Sequence, residues 1–231
     1  MDFQRHPWVD GEDRLVCLPA TYVAELKARA IADVDGGILS TGDILFAWRT
    51  KLMVEVLGYK PSTPLGLLQP YSLRGLIDTL PASGAYTSNA TAFAYARLTV
   101  SEVQRASLGG LAMQLRCAVK EYRTKEQAES YLGLLKRHGM MAVGPYNQVL
   151  MQWSNWSAGG HFEVDFGKAR IGGEGRGSPA AIFTYAYMGR FKMRNAGSLI
   201  GKDADGNVWL NWSMRPGAWP RAKEMILNKQ V

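Results

Sequence analysis

Val23, Leu26 and Ile31 recur at helical spacing, with Lys27 and Arg29 turned to the other side, which predicts a helix from about Thr21. Asp35-Gly36-Gly37 breaks it. The next helix is marked by its cap. Ser40 can accept from the N–H groups of the first turn, and Asp43, three residues on, favours the positive helix end. Leu45, Trp48, Leu52 and Val56 follow on one wide apolar stripe, and Gly58 with Pro61 supplies the stop. The rise in proline and glycine from Pro61 to Pro70 predicts a surface connection.

Tyr71–Ile77 and Ala92–Val100 are rich in β-formers and predict strands. From Ser101 through Leu111 and Leu115 to Val119 the pattern predicts one helix, and Tyr131–Leu135 a second. Lys136-Arg137-His138-Gly139 closes the second with cations in the last turn and glycine after it. Val149–Trp153, Phe162–Phe166, Ala181–Met188 and Val208–Met214 predict further strands, the last following a turn at Asp203-Ala204-Asp205-Gly206. Trp219–Leu227 predicts a closing amphipathic helix. Strands and helices alternate irregularly, which points to an α/β (α+β) fold, a mixed β-sheet flanked by helices. Residues 1–14 are expected to be a polar N-terminal tail and residues 15–231 a single domain.

Composition narrows the class. Of 231 residues, 47% are apolar and 20% charged, ordinary globular usage that excludes wholesale disorder and fibrous repeats. No apolar run approaches the ~18 residues that span a bilayer, and the first twenty residues carry charges throughout, so a cytoplasmic protein is expected. Cys17 and Cys117, a hundred positions apart, make neither a disulfide framework nor a zinc site. The net charge of +7, with a pI near 9.4, suits nucleic acid, an anionic membrane or a polyanionic small molecule such as a nucleotide or coenzyme A. The densest basic stretch, Lys120–Arg123 with Lys125, is interrupted by Glu121 and Glu126 and reads as a solvated helix face, so neither nucleic acid nor membrane is expected as a partner.

Only three histidines are available for acid–base chemistry. His138 is accounted for by the helix end. His161 sits in Gly159-Gly160-His161-Phe162 and reads as an exposed residue in a turn. His6-Pro7-Trp8-Val9-Asp10 has the form in which an aspartate orients a general base, but it lies in the polar tail. There is no nucleophile elbow, P-loop, dinucleotide fingerprint or metal-ligand spacing, so no metal or resident cofactor is expected. Gly172–Gly177 is glycine-rich but lacks a following Lys-Ser/Thr and reads as a flexible loop.

Ser154–Gly167, SNWSAGGHFEVDFG, carries a resemblance. It resembles the Ser/Thr-x-Trp segment and the following Asp-Phe-Gly-Trp-Gly motif of the BAHD superfamily of acyl-CoA-dependent acyltransferases, with Trp156 and Asp165 nine positions apart. Ile38–Arg49 resembles the family's helix through Ser40, Asp43, Ala47, Trp48 and Arg49; Ser72–Leu76 resembles its LRxRL strand; and Tyr86–Ala90 resembles its YxGNA turn. The pieces occur in family order over roughly residues 15–228, in a fungal rather than plant style. Lys168-Ala169 departs from the family's Trp-Gly.

The resemblance implies the C-terminal half of an enzyme about twice this length, with a chloramphenicol-acetyltransferase-like fold. It implies that acyl-CoA is a co-substrate and that the acyl group passes to a hydroxyl or amine of a small molecule in fungal secondary metabolism. It further implies that Ser154 and Trp156 line the substrate tunnel. Arg74, Asp165, Phe166 and Gly167 would form a structural motif, Asp165 pairing with Arg74 as an interior ion pair. The family's catalytic HxxxD stands well over a hundred residues before the Ser40 helix, whereas His6 is 34 positions from Ser40, so His6 is not expected to be the base and the catalytic residue is left unknown. The alternatives are a non-catalytic remnant and a partner-binding half-domain that associates with a separate N-terminal half or with itself.

Overall fold

A helix with apolar residues on every side can be stable only if other elements cover it all round. Helix α2 (Thr41–Leu57) is such a helix: fourteen of its seventeen residues are buried. The structure, a computed structural model, describes residues 11–87, 89–139, 144–169, 171 and 194–231. Before α2 come strand β1 (Glu12–Leu18) and α1 (Ala20–Ala32), and after it β2 (Pro64–Ser72), β3 (Thr91–Thr99), α3 (Val100–Arg105), α4 (Leu108–Tyr122) and α5 (Lys125–His138). The chain closes with β4 (Val149–Asn155), three short 3-10 turns, β5 (Ala196–Lys202), β6 (Val208–Met214) and α6 (Trp219–Leu227). It folds as two compact units: Arg29–Trp153 with Val231, and the described residues of Met1–Ala28 with those of Ser154–Gln230.

In the Arg29–Trp153 unit, β2 pairs antiparallel with β3 and parallel with β4, so the sheet is mixed. The capping box expected at Ser40 is present: Ser40 Oγ accepts from Asp43 N–H at 3.2 Å, and Asp43 Oδ2 accepts from the Ser40 N–H at 2.8 Å and hydroxyl at 2.7 Å. The same Oδ2 accepts from Arg116 Nη1 of α4 at 3.0 Å. One carboxylate, 5% exposed, thus closes α2 and ties it to α4. Lys51, on the far side of α2, donates to the Val103 and Ala106 carbonyls at 2.9 and 2.8 Å, capping the end of α3; burial lowers its pKa. Arg49 is fully buried, and desolvation pulls its pKa down to about 9. It stays charged at neutral pH, with its Cζ 5.0 Å from the Trp153 ring centre and Nη1 3.4 Å from the Gln152 carbonyl. Phe46 stacks on the same Trp153 ring at 6.1 Å.

Helices α1 and α4 approach closely at Gly109, where a Cβ would stand 2.0 Å from the Ala30 carbonyl oxygen; the Gly109 N–H donates to Asp33 Oδ2 at 2.8 Å. A separate apolar cluster, Tyr71, Leu73, Ile77, Ala92, Ala94 and Ala128, is covered by Tyr122, Tyr131 and Leu132.

In the other unit β1, β6 and β5 form an antiparallel run, with Glu12 opposite Met214 and Leu18 opposite Val208. Trp219 Nε1 donates to the Glu12 carbonyl at 2.7 Å and its ring lies 4.9 Å from Trp212, which docks α6. In the β5–β6 connection, Asp203 Oδ2 accepts from Trp209 Nε1 at 2.8 Å and Oδ1 from Asn207 N–H at 2.9 Å. These bonds, the Trp209 donor first, hold the Asp203 pKa below the ordinary carboxylate value.

The structure corrects several expectations. The presumed surface connection is strand: β2 begins at Pro64, and Leu65, Gly66, Leu67 and Leu68 are buried. Its prolines are accommodated because Pro64 is the first strand residue and Pro70 lies past Leu65–Leu68, the stretch that β4 pairs with. The strand ends at Ser72, because Gly75 (φ +72°) turns the chain where Ser72–Leu76 was expected to continue it. The single helix Ser101–Val119 is two, parted at Ala106, whose ψ of 141° is extended; Ser107 caps the second. Glu12–Arg14, assigned to the polar tail, belong to β1. β5 was not foreseen. Residues 181–188 and the glycine-rich 172–177 lie outside the described residues, as do His6 and Asp10.

Asp43→Ala removes an acceptor of three bonds and leaves a half-buried guanidinium without its carboxylate. The expected loss is about 2–4 kcal/mol by urea unfolding, against no measurable loss for Lys125→Ala, whose ion pair with Asp78 is exposed. Gly109→Ala should cost ~1–3 kcal/mol in the same assay, because the methyl group meets a backbone carbonyl that cannot move aside. Asp203, with its pKa depressed, contributes stability above the ordinary aspartate value of about 3.9, and that contribution is lost as pH falls through the lower folded value. In NMR titrations the Trp209 indole N–H resonance should therefore hold its position down to about pH 4 and move only below it, and Asp203→Asn should abolish the transition.

Candidate functional site

β4 alternates as a strand should: Met151 and Trp153 are buried, and Gln152 and Ser154 are half-buried. The chain leaves the strand at Trp156 (φ −103°, ψ 1°), whose N–H donates to the Leu199 carbonyl of β5 at 2.8 Å. Gly159 N–H returns to the Trp156 carbonyl at 2.8 Å, closing a 3-10 turn over Ser157–Gly159. Asn155 Oδ1 supports the turn by accepting from Ser157 N–H at 3.0 Å and Oγ at 2.7 Å. Gly160 (φ +59°) reverses the chain in the left-handed region, and a second 3-10 turn follows at His161–Glu163.

Two aromatic contacts fix what comes after. Phe162 is buried; a Cβ at Gly201 of β5 would lie 3.2 Å from its ring, which sits 6.5 Å from Trp209 of β6. His161, half-buried, meets Trp156 edge to face, with ring centres 6.4 Å apart and planes at 60°. The segment Trp156–Phe162 is thus a closed loop, hydrogen-bonded to β5 at one end and packed on β5 and β6 at the other. The strand expected at Phe162–Phe166 does not form, because the double glycine folds the chain back on Trp156.

Asp165 Oδ1 accepts from Gly167 N–H at 2.8 Å and so shapes the entry to a third 3-10 turn, Gly167–Ala169. Asp165 is exposed and Phe166 half so, at 52%. Arg74, in the Arg29–Trp153 unit, is also exposed; its Cζ lies 5.1 Å from the ring centre of Tyr86, whose hydroxyl donates to the Pro81 carbonyl at 2.6 Å. Gly75 carries Arg74 out onto a surface turn, and Asp165 follows a turn rather than a strand.

Of the other chemistry-bearing residues, His138 is exposed at the end of α5, and Cys17 and Cys117 are exposed thiols. Among the described residues no group of three or more His, Cys, Asp or Glu could hold a metal ion, and no helix is long and apolar enough to cross a membrane. Sequence reasoning placed Ser154 and Trp156 at a strand end, where they are found. It missed the contact between His161 and Trp156, although two glycines between Trp156 and His161 were the signal that the chain could fold back there.

No family model matches the chain. It is 27% identical to the O-acyltransferase pboC of Aspergillus ustus over 95% of its own length, and 28% identical to the acetyltransferase sphE of Aspergillus fumigatus over 95%. It is also 28% identical over 92% of its length to a Penicillium decumbens protein named Transcriptional regulator calD. The chain spans about half the length of these relatives, 48–50%. Among solved structures, F. graminearum TRI101 complexed with coenzyme A and deoxynivalenol matches 94% of the chain with a TM-score of 0.74 at 20% identity, the match covering 48% of that protein. Vinorine synthase matches 95% with a TM-score of 0.68 at 17% identity, again over 48% of its own chain. Fold and sequence together set this chain beside one half of the BAHD-type acyltransferases, in the chloramphenicol-acetyltransferase-like architecture that its motifs implied.

Proposed function

We propose that the chain is the C-terminal half, or a shortened form, of a cytoplasmic acyl-CoA-dependent acyltransferase of fungal secondary metabolism. The observation that carries this reading is the loop from Ser154 to Gly167. The side chains that resemble the tunnel motif stand on a turn clamped to β5 and β6, on the fold shared with a coenzyme A-bound enzyme. In the reaction, a base takes the proton of an acceptor hydroxyl or amine. The freed lone pair attacks the thioester carbonyl, a C–O or C–N bond forms, the C–S bond breaks, and coenzyme A leaves as its thiol. Ser154 and Trp156 would line the path of the acyl group, Ser154 offering a hydroxyl donor to the oxyanion and Trp156 a flat wall. Asp165, Phe166 and Gly167 would shape the end of that wall, and Arg74 with Tyr86 a turn of the other unit. The acyl-CoA is a co-substrate, and nothing in the proposed step calls for a metal or a resident cofactor.

The base would come from a complementary N-terminal half. His138 serves a helix end, and His161 is engaged with Trp156. Val164, Phe166 and Ile171, 41%, 52% and 99% exposed in one short segment, favour a second reading, a non-catalytic half that binds such a partner. The name of the calD relative points to neither reading.

Incubated with acetyl-CoA and a panel of phenols and alcohols, the purified chain alone should turn over at least ~10²–10⁴-fold more slowly than a complete enzyme, for want of a positioned base. Addition of the N-terminal half of a full-length relative should restore turnover toward ~1–10³ s⁻¹. Full turnover by the chain alone would overturn the need for a partner, binding of the partner without turnover would favour the non-catalytic half, and neither binding nor turnover would overturn the acyltransferase reading.

A further inference from the structure

The contact between His161 and Trp156 is more built than a turn requires. Trp156 is held by its backbone to Leu199, but its N–H bond leaves the indole ring free to rotate about the side-chain torsions. What stands against the ring is the His161 imidazole, 6.4 Å away and at 60°. The imidazole is in turn given its place by its neighbours. On one side Phe162, next in sequence, is buried against Gly201 and Trp209, which fixes the backbone that carries His161. On the other, Gly159 leaves the space the imidazole uses: a Cβ there would lie 3.0 Å from His161 Nε2. Gly160, at φ +59°, supplies the reversal that brings the two rings together.

We infer that His161 is a positioning residue for Trp156, which holds the indole in one orientation and thereby sets how tightly the acyl donor is bound beside it. This second clause rests on the reading of Trp156 as a wall of the acyl site; the first does not.

The test uses the whole chain, with the Trp156 indole N–H resonance assigned by its loss in Trp156→Phe. This resonance should stay near its wild-type position in His161→Phe, which keeps a ring, and should shift and broaden in His161→Ala. Gly159→Val, which crowds the imidazole from the other side, should shift it too. Acetyl-CoA binding, followed by tryptophan quenching, should weaken in His161→Ala by about twofold to tenfold, the equilibrium equivalent of one aromatic pair, and be recovered in His161→Phe. An indole resonance that is the same in His161→Ala as in the wild type would overturn the positioning role. Resonances that behave as stated, with acetyl-CoA binding unaffected by Trp156→Phe, would uphold the positioning of the ring and overturn instead the reading of Trp156 as a wall of the donor site.

Discussion

The burial of α2 on all sides is the constraint from which the Arg29–Trp153 unit follows. A helix in that position takes most of its polar groups out of water, and four of its polar side chains meet specific partners. Asp43 closes the helix's own N-terminus and holds Arg116 of α4. Lys51 closes the C-terminus of α3. Thr50 donates to the Phe46 carbonyl one turn back, and Arg49 lies against Trp153 on β4. These groups do not add greatly to stability, since charges taken from water recover little more than their desolvation. They fix which elements surround the helix and in what orientation.

That arrangement was partly written in the order of residues. The Ser40–Asp43 cap was legible because a capping box is local: donor and acceptor lie three positions apart. The strand Val208–Met214 and the helix Trp219–Leu227 were legible because their patterns are long and bounded by turns. β2 and β5 were hidden for the opposite reason. PLGLLQPYS and AGSLIGK carry the prolines and glycines of loops, and become strands because neighbouring strands supply hydrogen bonds and cover. Glycine in them is a sign of close approach: a Cβ at Gly66 would strike Gln148 and Tyr95, and one at Gly197 the Asn211 carbonyl.

The site shows the same division. Ser154 and Trp156 could be named only through the resemblance, which a short local motif carries. The bond from Trp156 to Leu199 could not, since the strand that provides the carbonyl was itself unreadable. Motif matching transfers residue types but not their surroundings. Here Gly75 places the arginine on an exposed turn, beside Tyr86. Lys168 and Ala169, where the resemblance breaks, sit in a 3-10 turn entered through the Asp165 side chain, so the motif keeps its turn while losing its aromatic end.

The pairing of β1 with β6 bears on how the polypeptide assembles as it leaves the ribosome. Glu12 lies opposite Met214, and its carbonyl accepts from Trp219, 207 positions on. β1 is thus made well before β6, the strand it pairs with. The contacts of α2 close earlier, Asp43 meeting Arg116 across 73 positions and β2 meeting β4 soon after. The nearly continuous unit can therefore be complete while β1 still presents an unpaired edge, and such edges recruit other strands. During that interval α1, which follows β1 directly and continues into the folded unit, keeps the waiting strand attached to it.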